Sequence, residues 1–197
     1  QQYFKRYRKA HTARKLAGEQ KEKALLDIRQ LEEALYFLED ATSSQDIAEI
    51  RASLHEAGLV KKGSAARKGR KDKPSQPLRF RSEEGFVIQV GRNSRQNEQL
   101  LKDARGEDLW LHAKDIPGSH VLVTSTGGAI PENTLLLAAR LAAYYSKARG
   151  QQVQVDYTRR RHVRKTPGGG PGLVHYTGEK SVMAAMTTEE LAALQQG

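Results

Sequence analysis

The first 40 residues carry an apolar pattern that fits one long helix. Apolar side chains recur at alternating intervals of four and three residues, at Tyr3, Tyr7, Ala10, Ala17, Ala24, Ile28, Leu31, Leu35 and Leu38. This spacing is a heptad seam, the stripe that a helix buries against a partner helix. Arg14 and Lys21 interrupt it, so the seam is strong only from Ile28 to Leu38. The pattern predicts that residues 1–25 are frayed, pair with another copy, or pack on a segment outside these residues.

A second, shorter helix is predicted after the long one. Ser43, Ser44, Gln45 and Asp46 supply helix-capping side chains. Apolar residues then follow at helical spacing, at Ile47, Ile50, Leu54 and Ala57, and Gly58 is suited to end the helix. A helix this short can fold back only on the last turns of the long one. Residues 1–60 are therefore expected to form a helical coiled-coil hairpin.

Residues 61–77 differ in composition from both flanks. Gly, Ser, Ala, Pro, Lys and Arg dominate, and large apolar side chains are almost missing. Such a segment buries too little to offset the entropy of ordering it. We expect a basic flexible linker here, between the helical hairpin and a compact domain over residues 78–197.

The compact domain has the pattern of alternating strands and helices. Strands are predicted at 78–82, 86–90, 108–113, 120–124 and 153–157, and a terminal hairpin at 173–176 and 182–186. One helix is predicted from Asn93 or Ser94 to about Ala104, and another from Pro131 to about Lys147. The second is apolar on nearly every face, which indicates a buried central helix. With a small helix at the end, the order is typical of an α+β fold on a mixed, mainly antiparallel sheet.

The charge of the chain favours a polyanionic partner. The net charge is +10 over 197 residues, with 33 Lys and Arg against 23 Asp and Glu. Residues 61–81 alone hold nine basic side chains and one acidic one. A basic excess of this kind is rewarded when phosphates are neutralised and condensed counterions are released. A solvated loop or linker is the plainer interpretation of residues 61–81.

Several functional classes receive no support from the sequence. The chain has no cysteine, which excludes a disulfide scaffold, a cysteine metal site and a thiol nucleophile within these residues. No apolar run is long enough to span a bilayer, and no signal peptide pattern opens the chain. We expect a cytoplasmic protein with no metal, no cofactor and no small-molecule substrate. A signal sequence upstream of these residues stays open, since the chain starts in mid-pattern without Met and is interpreted as part of a longer protein.

Two segments are candidates for contact with nucleic acid. At the junction of a strand and a helix, Arg92 and Arg95 supply fork donors for phosphate, while Asn93, Gln96 and Asn97 are suited to base edges or 2′-hydroxyls. An ordinary capped helix with a polar surface explains the same residues. The second segment is the basic run with Arg159, Arg160, Arg161, Arg164 and Lys165. The loop 167–172 after it, rich in Gly and Pro, is either a hairpin connection or a mobile basic flap.

The histidines and the one tryptophan allow more than one interpretation. His112, Lys114 and His120 are weaker candidates for RNA contact, because they are equally suited to structural roles. Trp110 alternates with Leu109 and Leu111, so it faces away from them, as a core residue more than as a stacking platform. Ser119, His120 and Asp156 contain the groups of a catalytic triad, but neighbouring strand residues point to opposite faces and cannot readily share a proton. His112 and His120 with Asp108 or Asp115 lack a familiar metal-ligand spacing.

Four motifs in one order resemble the RNA-binding module of the NFACT family. They span residues 87–98, 108–121, 142–148 and 155–158, and the basic run and Pro171–Gly172 follow the last of them. The resemblance covers roughly residues 78–186. Upstream, residues 3–7 and 47–51 resemble the second half of the coiled coil in the middle domain of that family. The similarity is greatest to the RqcH-like bacterial factors, which are often labelled fibronectin-binding protein A-like.

The resemblance implies a role in ribosome quality control. RqcH-like factors bind large ribosomal subunits obstructed by peptidyl-tRNA and recruit alanyl-tRNA, so that the stalled chain receives an alanine tail. The ribosome itself forms the peptide bond, so the resemblance implies a part that is not an enzyme. The implied partners are rRNA, a stalk-base protein and tRNA, and the unpaired seam adds a second copy of the chain as a candidate partner. The family's amino-terminal domain has no counterpart in these residues, so this stretch alone is not expected to select alanyl-tRNA.

Three other functions remain open from the sequence. The traditional label suggests a surface adhesin for fibronectin. His112, His120 and Asp156 suggest a nuclease or hydrolase. The basic runs suit duplex DNA as well as RNA, because phosphate contacts alone do not distinguish them.

Overall fold

The computed structural model describes residues 1–61 and 75–196 of the chain. Within these ranges the helices are α1 Gln2–Glu39, α2 Ser44–Glu56, α3 Ser94–Asp103, α4 Glu132–Tyr144 and α5 Thr188–Gln196. The strands are β1 Leu78–Arg81, β2 Val87–Val90, β3 Leu109–Ala113, β4 Val121–Val123, β5 Val153–Arg159, β6 Val163–Lys165, β7 Val174–Tyr176 and β8 Lys180–Ala184. The predicted α+β class is confirmed. None of the helices in the described ranges is both long and apolar enough to cross a membrane.

The two N-terminal helices form the expected hairpin. The Ser43 side chain caps α2 by accepting a hydrogen bond from the Asp46 backbone N–H at 3.1 Å. Gly58 ends the helix with a left-handed backbone (φ 76°), which a glycine adopts without steric cost. The short helix packs on the last turns of α1 through Ala34, Phe37 and Ile50, all buried.

The face that α1 buries is not the heptad seam. Its buried residues are Gln30, Glu33, Ala34, Tyr36 and Phe37, whereas Ile28, Leu31, Leu35 and Leu38 of the seam are exposed. Residues 1–25 are exposed throughout. The seam is therefore unpartnered within the described residues, as predicted for residues 1–25 but not for the stretch from Ile28 to Leu38, where the pattern is strongest.

The main sheet has six strands in the order β1-β2-β4-β3-β5-β8, and each of its pairings is antiparallel. One face of the sheet packs on α4, whose Ala138, Ala139, Leu141 and Ala142 are fully buried. The predicted central helix is thus confirmed, although it ends at Tyr144. It ends there because the next residues are tied to the 117–119 turn, where the Ser119 N–H donates to the Tyr145 carbonyl at 2.8 Å.

The opposite face of the sheet carries a second, smaller core. Leu101 of α3, Trp110 of β3, Leu122 of β4 and Val163 of β6 meet there. Trp110 is 0% exposed, so its interpretation as a core residue is right. The layers are α4, the sheet, and a cover built from α3 and the β6–β7 hairpin.

The predicted pairing of the last strands is wrong. β7 pairs with β6, from Val163↔Tyr176 to Lys165↔Val174, whereas β8 pairs with β5 along the edge of the main sheet. A 3₁₀ turn at Arg160–His162 turns the chain out of the sheet after β5 and creates β6, a strand that the basic side chains concealed. The polar residues 177–180 therefore connect β7 of the two-stranded sheet to β8 of the main sheet, and not two strands that pair with each other.

Most of the expected basic linker lies outside the described residues. Of residues 61–77, only Lys61 and residues 75–77 are described. Ser75 contacts the Glu49 carboxylate of α2 through its backbone N–H (2.8 Å) and its hydroxyl (2.6 Å). The division of the chain into hairpin, linker and domain stays a prediction.

Candidate nucleic-acid interface

The first candidate segment, at the start of α3, faces the helical hairpin. Asn93 caps α3, because its Oδ1 accepts from the Gln96 N–H at 2.9 Å, and its Nδ2 donates to Glu49 Oε2 at 2.7 Å. The Gln96 side chain donates to the Ser75 carbonyl at 2.9 Å. Asn97 Nδ2 donates to Glu33 Oε1 at 3.2 Å, and Asn97 Oδ1 accepts from the His120 N–H at 3.0 Å. The amides of all three side chains are buried and occupied by protein partners.

The two arginines of this segment also reach toward α2. Arg92 forms an ion pair with buried Asp46 at 3.0 Å, and Arg95 pairs with Glu56 at 3.4 Å. The Arg95 side chain keeps half of its surface exposed, whereas Arg92 keeps 31%. The segment that the sequence offered as an RNA site is, in this fold, the junction between helices and domain.

Within the second candidate segment, Arg160 is structural. Its Nε donates to the Leu101 carbonyl at 2.5 Å and its Nη1 to the Val163 carbonyl at 3.1 Å. Leu101 lies in the last turn of α3, where free carbonyls and the helix dipole favour a cation. Arg160 thereby fastens β6 to the end of α3.

The other basic residues of the segment lie at the surface. Arg159 donates to the Glu107 carbonyl at 2.6 Å, and Arg161 pairs with the Glu107 carboxylate. Lys165 pairs with Glu98 at 3.0 Å. The Arg164 side chain is exposed and has no hydrogen bond or ion pair to any residue that the structure describes.

Two further basic residues join this surface from α3 and the turn after it. Lys102 shares Glu98 with Lys165, at 3.3 Å, and exposed Arg105 neighbours Gly106, whose carbonyl accepts from the Arg161 N–H. The resulting α3–β6 basic surface comprises Lys102, Arg105, Arg159, Arg161, Arg164 and Lys165. Sequence reasoning missed Lys102 and Arg105, because only the fold brings the end of α3 beside β6.

The third candidate set, His112, Lys114 and His120, lies on the face of the main sheet that carries the smaller core around Trp110. His112 stacks on Trp110 with ring centroids 5.9 Å apart and planes inclined by 9°, and His120 meets both rings edge-on. Burial lowers the pKa of His112, and burial with the neighbouring His112 holds the pKa of His120 well below its usual value. Both rings are therefore neutral at pH 7. Lys114 pairs with buried Asp156 at 3.6 Å.

The residues considered for catalysis do not form a relay. Asp156 accepts from Tyr176 Oη at 2.9 Å and from the Ser181 hydroxyl, and in the described part of the chain no hydrogen bond links it to Ser119 or His120. Across residues 1–61 and 75–196, no group of three or more His, Asp or Glu side chains is arranged to hold a metal ion.

The loop 167–172 connects β6 to β7, as the hairpin interpretation predicted, and is held against α1 and α2. Gln30 of α1 donates to the Pro171 carbonyl at 2.9 Å. A Cβ added at Gly170 would lie 2.2 Å from Gln30 Oε1 and 2.8 Å from Ala57 Cβ, so only glycine allows this approach. The interpretation as a projecting flap does not fit this packing.

Two family models match the chain, one for each of its parts. The family model of the NFACT protein RNA binding domain matches residues 76–178, and the family model of the NFACT N-terminal and middle domains matches residues 1–74. The Rqc2 homolog RqcH of Bacillus subtilis is 38% identical over 201 residues, covering 100% of this chain and 34% of that protein. The ribosome quality control complex subunit NEMF homolog of Drosophila melanogaster is 38% identical over 71 residues, 35% of this chain and 7% of that protein.

A solved structure shares the whole arrangement. The C-terminal part of the fibronectin/fibrinogen-binding protein from Streptococcus suis superposes with a TM-score of 0.87 at 36% identity, covering 98% of this chain and 78% of that one. The chain spans about a third of the length of the bacterial relatives that it matches. Since a family model covers more than half of the chain, it belongs to the NFACT family and contains that family's RNA-binding domain.

Proposed function

We propose that this chain is the non-catalytic RNA-binding part of a cytoplasmic ribosome quality control factor. In this proposal the whole factor binds large ribosomal subunits obstructed by peptidyl-tRNA and supports tRNA(Ala) recruitment for alanine tailing of stalled chains. The names of the bacterial and insect relatives support the pathway. The observation that carries RNA binding is the exposed α3–β6 basic surface, which lies within the matched RNA-binding domain.

The basic surface is suited to a phosphate backbone. Its arginines offer fork donors that match phosphate oxygens, and its lysines add point charges. Arg161 and Lys165 are more than half exposed, and their acidic partners Glu107 and Glu98 lie at the surface or its edge. An exposed ion pair such as Arg161–Glu107 stabilises by only ~0–1 kcal/mol, so phosphate can displace that carboxylate at small cost. The Glu98 side chain is only 16% exposed, so releasing Lys165 from it costs more.

The RNA contacts predicted at the start of α3 fall into two groups, buried residues and a residue that stays half exposed. We assign Asn93, Gln96 and Asn97, with Arg92, to the junction with α1 and α2, because their polar groups are already paired within the protein. Arg95 remains half exposed and marks the edge of a larger footprint. The partners we propose are rRNA and tRNA, with a ribosomal protein at the stalk base as a contact of α1.

A salt-titrated binding assay tests the proposal. Purified large subunits, tRNA and duplex DNA are compared for the parent chain and for Arg161→Ala/Arg164→Ala. We expect tight binding to the subunit, weaker binding to the other two, and loss of ~0.7–0.9 units of salt slope for each phosphate contact removed. The matched control is Arg79→Ala/Arg81→Ala on edge strand β1, which removes the same charge from a strand that three others separate from β5.

Two results would contradict it. Equal losses in the control variant would mean that net charge alone drives association. Binding to the three nucleic acids with one affinity and one slope would assign all specificity to the rest of the factor.

A second candidate rests on the name of the Streptococcus suis structure, which describes a fibronectin/fibrinogen-binding protein. Fibronectin binding would not need a phosphate-binding surface. Immobilised fibronectin added to the same assay separates the two. Saturable capture that survives Arg161→Ala/Arg164→Ala, without RNA binding, would favour the adhesin.

A further inference from the structure

A cavity of about 300 Å³ lies where α1, the sheet and the β6–β7 hairpin meet. Its inner wall is formed by Trp110, His112, His120 and Tyr176, and its other walls by Glu33 and the Ile116–Gly118 turn. The basic surface does not include these residues. Its volume is at the lower end of the range for ligand sites, which suits a single ring system better than a large cofactor.

Two polar atoms of the wall residues are left without partners. Trp110 is 0% exposed and His120 is 3% exposed, yet neither Trp110 Nε1 nor His120 Nδ1 has a hydrogen-bond partner among the described residues. Buried polar groups are normally paired, and an unpaired one costs about 1–3 kcal/mol. Both residues line the same cavity, so a ligand with a donor and an acceptor is a candidate partner for these two atoms, which have almost no solvent-accessible surface.

The shape and charge of the cavity select the ligand. Trp110 packs against Tyr176 at 4.7 Å and against His112 at 5.9 Å between ring centroids, so flat aromatic faces are concentrated there. Glu32, Asp115 and Arg29 also line the cavity, so two carboxylates against one guanidinium disfavour a phosphate group. The same carboxylates accept hydrogen bonds from exocyclic amino groups. A planar heterocycle fits these walls, and a phosphate group does not.

The cavity is next to the proposed RNA path. Gly172, Leu173 and Val174 line the cavity on one side and, on the other, the cleft that contains Lys102, Arg160 and Lys165. A single layer of backbone at the start of β7 therefore separates the two. An RNA strand whose phosphates contact the basic surface can therefore extend one base past this backbone layer and into the cavity.

We propose that the cavity beside Trp110 binds one unpaired nucleobase of the bound RNA, with preference for bases that carry an exocyclic amino group. The inference rests on the proposed RNA binding of this chain. Unpaired bases are recognised by stacking on aromatic side chains and by hydrogen bonds to their edges. The rings of this cavity that keep exposed surface are His112 and Tyr176, whereas Trp110 is fully buried and packs against both. The base supplies specificity, while the basic surface holds the backbone.

The fluorescence of Trp110 reports entry directly, because it is the only tryptophan of the chain. The parent chain is titrated with a short single-stranded RNA, with the same RNA carrying one abasic residue, with oligouridine, and with free adenosine and cytidine. Anisotropy of labelled RNA is followed in parallel. We expect saturable quenching by the intact RNA, weaker quenching by oligouridine, and quenching by free nucleosides only at higher concentration.

Two variants and a control locate the effect. Ile116→Phe narrows the cavity, and Trp110→Phe keeps an aromatic ring but removes the indole N–H. Each should weaken binding of the intact RNA roughly tenfold, the effect of one stacked base, and leave binding of the abasic RNA unchanged. Leu136→Phe, on the exposed side of α4, makes the same kind of change far from the cavity and should have no effect.

The outcomes separate this inference from the proposed function. RNA that raises the anisotropy without quenching Trp110, with equal affinities for intact and abasic strands, overturns the base site and leaves the RNA-binding proposal standing. No anisotropy change with any RNA overturns the proposed function. Quenching by free nucleosides alone would then identify a small-molecule site and overturn the proposal that the base comes from RNA.

Discussion

Asn97 Nδ2 of α3 donates a hydrogen bond to Glu33 Oε1 of α1 across 3.2 Å, in a place where Asn97 is 0% and Glu33 7% exposed. The contact joins residues 64 positions apart and ties the helical hairpin to the RNA-binding domain. Burial raises the pKa of Glu33 to about 8, with hydrogen bonds from Asn97 and Ser94 opposing the shift. At neutral pH this glutamate is therefore mostly protonated.

The first prediction concerns pH. A carboxyl group whose pKa is higher in the folded state stabilises the fold fully below its unfolded pKa near 4.5, and this stability is lost as pH rises toward about 8. We expect the junction to weaken between about pH 5 and pH 9, by on the order of a few kcal/mol at most. Glu33→Gln, which stays neutral, should remove this dependence. Urea unfolding across this pH range measures it, and an unchanged slope in the variant would contradict the assignment.

The second prediction concerns Asn97. Asn97→Ala removes one of the two hydrogen bonds to the Glu33 carboxyl and leaves the His120 N–H without its partner, so we expect a loss of about 2–4 kcal/mol in the free energy of unfolding. Gly91→Ala should act on the same contact, because its Cβ would lie 2.1 Å from Asn97 Oδ1. The control is Gln99→Ala, which removes an exposed hydrogen bond of the same helix. Thermal unfolding compares the three, and a control as damaging as Asn97→Ala would contradict a specific junction.

Most helices and strands could be predicted from local sequence, whereas which of their faces are buried against other elements could not. Ser43 and Asn93 act as the helix caps that their residue types predict, and Trp110 is buried as its alternation favoured. These are local properties, set by neighbours within a few residues. The strand β6 was missed because Arg160–His162 interrupt the chain with a turn that has no Gly or Pro signal.

The candidate site shows why polar residues are harder to place. Asn93, Gln96 and Asn97 have the chemistry of RNA contacts, but the fold uses them against Glu49, Ser75 and Glu33. A polar side chain pairs equally well with protein or with RNA, so its type does not decide its partner. Only the docking of α1 and α2, a long-range packing event, determines which groups stay exposed.

The third prediction separates two arginines of one basic run. Arg160→Ala loses two hydrogen bonds that fasten β6 to α3, so it should cost about 1–3 kcal/mol of stability. Arg164→Ala should leave stability unchanged and lower RNA affinity at low salt, because its side chain is exposed. Unfolding and RNA binding measured on both variants give the contrast. Equal stability losses would contradict the structural role of Arg160, and unchanged RNA binding of Arg164→Ala would remove it from the interface.

The fourth prediction concerns the exposed seam of α1. Ile28 is 50%, Leu31 43% and Leu35 59% exposed, and they lie on one stripe of the helix. Apolar heptad positions without a partner favour pairing with a second helix, and in the isolated chain the available helix is a second copy. We expect concentration-dependent dimers in sedimentation velocity. Leu31→Lys/Leu35→Lys should shift the chain to monomers, since two like charges would face each other across the seam.

The control for the seam is Thr12→Lys together with Gln2→Lys, which adds the same charge to α1 at exposed positions outside the stripe. This variant should dimerise like the parent chain. Dimers that persist in Leu31→Lys/Leu35→Lys would place self-association elsewhere on the molecule. A parent chain that is monomeric at every concentration would mean that the weak half of the seam, where Arg14 and Lys21 stand, keeps two copies apart. In that case the seam requires a helix whose acidic residues complement those two positions.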